Sequence, residues 1–279
     1  MVKFKNIRTS IAVSIILIFM SCESDPASEK NWEDLLDNLP VNDYELFVDS
    51  LTKIQHDITI EIDDYAQYHC DVDFEEYMKY FDKLTVDPNW IIESFCLRGV
   101  GRSYIVAFEN QSVRSTVFTK ATNVYQEDDT VIVYLDYNIL QKYQDSIHYT
   151  TAIHVENSLM GWFQFMTFYI IGDIYSLFGQ ANYYHRDIVC SKHQIVKLIQ
   201  STSYDYYYDN LYLIKNEVLA IDFTPEIEIT DDLVTVRLVI FDPWEGFTEK
   251  KYSITTGWPH KVKSSESKVL LEYNCMIDF

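Results

Sequence analysis

The sequence predicts an α+β fold in which N-terminal helices are followed by mainly antiparallel β-sheet, with one late helix near residues 191–200. Three observations carry this prediction. Apolar residues early in the chain recur at helical spacing, as in Tyr44, Phe47, Val48, Leu51 and Ile54. From Trp90 onward the pattern shifts to short segments rich in β-branched and aromatic residues. Ser191 and Gln194 form an S-x-x-Q capping box ahead of Ile195, Leu198 and Ile199.

Taken in order, Asn31 is placed to cap a first helix over 32–36, with Trp32, Leu35, Leu36 and Leu39 on one face and Pro40 beyond its end. A second helix is expected over 43–55. Ile58, Ile60 and Ile62 alternate with polar residues, which suggests a short strand. Asp73 and Glu76 form a capping box for a helix that presents Phe74, Tyr77, Met78, Phe81 and Leu84 and stops before Pro88. Strands are expected near 90–98, 104–109, 114–124 and 130–136, the last two separated by a turn at Glu127-Asp128-Asp129.

Residues 159–178 are apolar, but Gln164, Asp173 and glycines interrupt them, which argues against a membrane span. Their aromatic and β-branched content favours paired strands over a buried helix. Val234, Val236, Leu238 and Ile240 make an apolar strand face. "FDPWEGF" (241–247) reads as a hairpin loop into Lys250, Tyr252 and Ile254, and Val269, Leu271 and Tyr273 form the last strand. Strands that follow strands through short links predict antiparallel pairing. With no repeat and no sharp boundary, residues 31–279 read as a single α+β domain.

Hydrophobic content of 48% and a mean hydropathy of −0.13 are those of a globular chain. The formal net charge is −21. Lys3, Lys5 and Arg8 are the only charges in residues 1–21, so the remainder carries −24. Such a surface repels nucleic acid and anionic headgroups. It suits a basic protein partner, and it also keeps a domain soluble.

The first residues carry an address. Lys3, Lys5 and Arg8 precede an uncharged run, Ile11 to Met20. Ten helical residues span about 15 Å, half the hydrocarbon thickness of a bilayer. The run therefore reads as the core of a signal peptide over 1–21. Ser21 and Cys22 follow it. This stretch resembles the lipobox of bacterial lipoproteins, although Phe19 and Met20 depart from the usual residues there. The resemblance implies cleavage before Cys22, a diacylglyceryl thioether on its sulfur and acylation of its new amine, giving a membrane partner through the lipid anchor. Residues 22–30 read as an acidic tether. Glu23, Asp25 and Glu29 resemble the surface-export signal of Bacteroidota lipoproteins, which implies an outer-membrane, surface-exposed location.

No catalytic signature emerges. His185-Arg186-Asp187 matches three residues of the protein-kinase catalytic loop, but the following lysine and asparagine are missing, and Asp222-Phe223 precedes Thr224. His185, Asp187, Cys190 and His193 include zinc-ligating types. The capping box gives the better account of this string, with Cys190 and Ile195 placed as a hydrophobic staple. There is no G-x-S-x-G, H-E-x-x-H or P-loop, and nothing implies a cofactor. Cys70, Cys96, Cys190 and Cys275 are disulfide candidates; outside the cytoplasm they pair in one of three ways or remain as buried thiols. Trp244 in "DPWEG" and Trp258 in "TGWPH" are the best candidates for exposed anchors, and Tyr206 and Tyr207 lie in the polar stretch 203–210. The expectation is a non-catalytic module binding a protein or glycan at the cell envelope, with an inhibitor or immunity-type protein as one version. The alternative is an envelope hydrolase whose Asp/Glu pair the sequence does not single out.

Overall fold

The computed structural model describes residues 38–61, 74–96, 103–127, 130–136, 138–139, 142–143, 147–172, 186–200, 214–242 and 244–273. Cys22, the tether, the helix expected over 32–36, Cys70, His185, Tyr206, Tyr207 and Cys275 lie outside them. The described chain is an α+β fold with antiparallel pairing throughout.

Helix α1 (Asp43–Glu61) starts where Asn42 accepts the Glu45 amide on its side-chain oxygen, 2.9 Å away. It continues to Glu61, through residues 58–61 of the strand expected at 58–62. Extending an existing helix costs less than starting a new element. Helix α2 (Phe74–Met78) is short, and the chain then turns into β1 (Leu84–Val86), burying Tyr77, Phe81 and Leu84. Strands β2 (Ile91–Cys96) and β3 (Ser103–Phe108) fall where strands were expected and pair antiparallel.

The strand expected over 114–124 is instead helix α3 (Gln111–Ala121) followed by β4 (Thr122–Glu127), which pairs with β5 (Thr130–Leu135). Asn110 explains the difference, because its side-chain oxygen caps the amides of Ser112 and Val113. Thr116 and Thr119 return their hydroxyls to carbonyls four residues back, which makes these β-branched residues compatible with a helix. Arg114 grips both Glu93 oxygens at 2.8 Å and so ties α3 to β2.

A short 3₁₀ turn (Tyr149–Ala152) leads to β6 (Ile153–Val155), which pairs with β1. Next comes α4 (Leu159–Ile171), a helix where paired strands were expected. Ser158 caps it by accepting the Gly161 amide at 3.1 Å. Trp162, Phe163, Phe165, Met166 and Phe168 are all buried, so apolar neighbours on every side outweigh strand propensity.

The main sheet runs β11 (Val262–Leu271), β10 (Gly246–Thr255), β9 (Leu233–Asp242), β7 (Asp187–Val189), with β8 (Glu226–Ile229) also on β9. Helix α5 (Lys192–Gln200) occupies the place expected for the late helix, and α6 (Lys215–Leu219) follows. Strand β9 is the shared wall of two cores. Val234, Val236 and Leu238 face the first core, with α4 and Phe81; Val239 and Phe241 face the second, with Ile195, Phe223 and Phe247. Burying each such side chain contributes about 1.5–3 kcal/mol. Cys190 belongs to the first core and Ile195 to the second, so the expected staple contact between them is not formed. Strand β11 starts earlier than its apolar residues indicated, and Val269 is exposed.

Candidate functional site: the Trp258 loop

The loop joining β10 to β11 (256–261) is folded by its own polar groups. Thr255 donates its amide to the Lys261 carbonyl at 3.0 Å, and Lys261 returns its amide to the Thr255 hydroxyl at 2.9 Å. His260 Nδ1–H donates to the Thr255 carbonyl at 3.1 Å. The His260 ring is buried edge-on against Trp162 and Phe165, and burial depresses its pKa below the usual histidine value. A neutral imidazole thus seats the loop on α4. Thr256 fastens the other side, giving its amide to the Asp232 carbonyl at 3.1 Å and its hydroxyl to the Asp231 carbonyl at 2.6 Å. The β10–β11 loop and the β8–β9 turn are therefore one rim.

Trp258 projects from this rim and is 41% exposed. It precedes a cis proline, Pro259. Its indole stacks on the His154 ring, centroids 4.7 Å apart and planes 22° apart. His154 comes from β6. Its Nε2–H donates to Asp87 Oδ2 at 2.8 Å, since an ionised carboxylate only accepts. Asp87 Oδ1 takes two further bonds from Asn89, through its backbone and side-chain nitrogens. The His154 bond, followed by those from Asn89, holds the Asp87 carboxyl below the usual carboxylate range. The chain Asp87–His154–Trp258 fixes the indole without enclosing it, which suits contact with a ligand.

The remaining expected residues are placed differently. Trp244 is half-buried and packs against the second core, closing the β9–β10 hairpin. Cys190 carries a free thiol, fully buried, and burial pushes its pKa well up; this thiol is inert. The described residues do not include the side chain of Cys96.

The "YYHRDIVCSKH" string resolves into a structural tie. Ser191 Oγ accepts the Gln194 amide at 2.9 Å, as the capping box requires. Gln194 Oε1 reaches back to the Cys190 amide at 2.8 Å, one residue before the cap. The same Ser191 hydroxyl donates to Glu45 Oε2, and His193 Nδ1–H donates to Glu45 Oε1, each at 2.5 Å. Lys197 reaches Asp49 at 2.7 Å and lies 3.7 Å from Glu45. Ser191 donates its hydroxyl hydrogen to a carboxylate in a hydrogen bond and offers a lone pair to the helix cap, so it is not poised as a nucleophile. Glu45 is fully buried and occupied on both oxygens, and it joins α1 to α5. Among the described residues no cluster of three His, Cys, Asp or Glu side chains could hold a metal ion.

Sequence reasoning found Trp258 but missed His154, Asp87 and the Asp231–Asp232 turn. The available signal was weak: "VDPN" (86–89) marks a turn with an acid beside Pro88, and nothing in it points to a partner in β6. No protein-family model, curated protein or solved structure matches this chain.

Proposed function

We propose that this chain is a non-catalytic binding module of the bacterial cell envelope, lipid-anchored through Cys22 at the outer membrane and engaging a protein or glycan with the Trp258 loop. The observation that supports the reading is Trp258 itself, an exposed indole held in one orientation by His154 and Asp87. Aromatic anchors of this kind supply large contact area at small entropic cost. The acidic charge of the chain favours an inhibitor or immunity-type role against a basic partner. No helix among the described residues is long and apolar enough to cross a membrane.

The test is calorimetric titration of the full chain with a panel of basic proteins and of neutral and acidic glycans. Binding of at least one class, weakened in Trp258→Ala, is the expected result. If no class binds, or if Trp258→Ala binds as well as the parent, the reading fails.

A further inference from the structure

Resting on the reading of the Trp258 loop as a binding surface, we infer that its occupant is a cationic side chain, lysine or arginine, presented by a basic protein. Three observations converge on charge and ring type. First, Trp258 is 41% exposed, and His154 is the one ring that packs on its indole among the described residues, which leaves its other face without a ring partner there. A tryptophan face is the best aromatic receptor for a cation, because its quadrupole is negative there.

Second, the rim beside it is acidic. Thr256 ties the loop to Asp231 and Asp232, both exposed, and neither carboxylate pairs with a base among the described residues. Lys261 is the one lysine or arginine of the loop, and the Asp87 carboxylate is taken up by its hydrogen bond to His154. The loop and the turn it is tied to thus carry two acids and one base. Third, the whole chain is strongly acidic, so a basic protein is drawn toward it before contact is made. A neutral sugar would gain nothing from the two carboxylates as charges. An acidic glycan would be repelled.

The test titrates the full chain with oligolysine, with the same peptide acetylated on every side-chain amine, and with a neutral oligosaccharide. Oligolysine is expected to bind, more weakly as salt is raised. Trp258→Ala should weaken it about tenfold, and Trp258→Phe, which keeps a ring beside Pro259, by less. The pair Asp231→Asn and Asp232→Asn should weaken it about threefold. Glu245→Gln, at the opposite end of the β9–β10 hairpin, should change it less than about twofold. The acetylated peptide and the sugar should bind poorly. Urea midpoints equal to the parent's would show that each variant is folded. Should Trp258→Ala weaken only the sugar or the acetylated peptide, the cationic occupant is refuted and the binding-module reading stands. Should oligolysine binding ignore Trp258 and Asp231/Asp232 while another ligand depends on Trp258, the outcome is the same. If Trp258→Ala alters no interaction, both readings fall.

Discussion

The indole of Trp258 lies flat on the imidazole of His154, at 4.7 Å between centroids, and the imidazole is held in turn by Asp87 at 2.8 Å. Removing the middle member should free the indole while leaving both cores intact. His154→Ala is expected to cost about 0.5–1.5 kcal/mol of stability, the range of an aromatic pair. Near-UV circular dichroism should lose more of its tryptophan signal than the urea midpoint suggests. An unchanged tryptophan signal would show that the stack does not hold in solution.

Glu45 is a fully buried acidic residue whose two oxygens are both hydrogen-bonded. Replacing it with alanine leaves the Ser191 hydroxyl and His193 without their shared acceptor, and Lys197 keeps only Asp49. The expected loss is about 3 kcal/mol, at the low end for breaking a buried charged pair because Lys197 remains half-exposed. Ser191→Ala should cost about 1–2 kcal/mol through the lost cap. A double-mutant cycle in urea should give a coupling above about 0.5 kcal/mol, since the two side chains touch.

Gly246 opens β10 with φ of 91°, a conformation that side chains avoid. A Cβ there would lie 2.3 Å from the Leu271 carbonyl oxygen and 2.5 Å from the Tyr273 nitrogen. Gly246→Ala should therefore destabilise by at least about 2 kcal/mol, read as a lower urea midpoint at constant slope.

His148 gives the fold a pH dependence of its own. Burial lowers its pKa to about 4. The ring sits between Tyr149 and Tyr169, and its Nδ1 accepts from the Thr150 amide. A histidine whose folded pKa is depressed contributes stability that is complete above the unfolded value of about 6.5. That contribution is lost as pH falls toward 4, and His260, shifted the same way, adds to the trend. The loss should reach no more than about 3.5 kcal/mol for His148 at about 1.36 kcal/mol per unit. Urea titrations across this window should slope downward with acid, and His148→Gln should flatten the curve. Asp87 and Asp222 titrate lower, so their losses appear only in stronger acid.

The parts of the fold that were legible in the sequence are those where one local pattern decides. The strict alternation of Val234, Val236 and Leu238 names β9, and the Ser191–Gln194 box names the start of α5. The misread elements are those where propensity and context disagree. Residues 114–121 have strand-like composition but follow the Asn110 cap, and 159–171 are aromatic with 161–168 buried on all sides, where a helix closes its own hydrogen bonds. The site divides in the same way. Trp258 was legible because a tryptophan in a loop next to proline stands out by itself. His154 and Asp87 were not, because they reach it across β1–β6 pairing and a rim assembled from distant turns.

Leu238 and Val239 are neighbours in the chain but belong to different hydrophobic interiors. If β9 slid by one residue against β10, both interiors would exchange their contents at once, because side chains alternate with a period of two. The strand is thereby locked against slippage by two independent penalties rather than one. Strand β11, polar and attached through β10 alone among the described strands, has no such lock. Misalignment during folding is therefore expected to begin at the outer edge of the sheet, not at its centre.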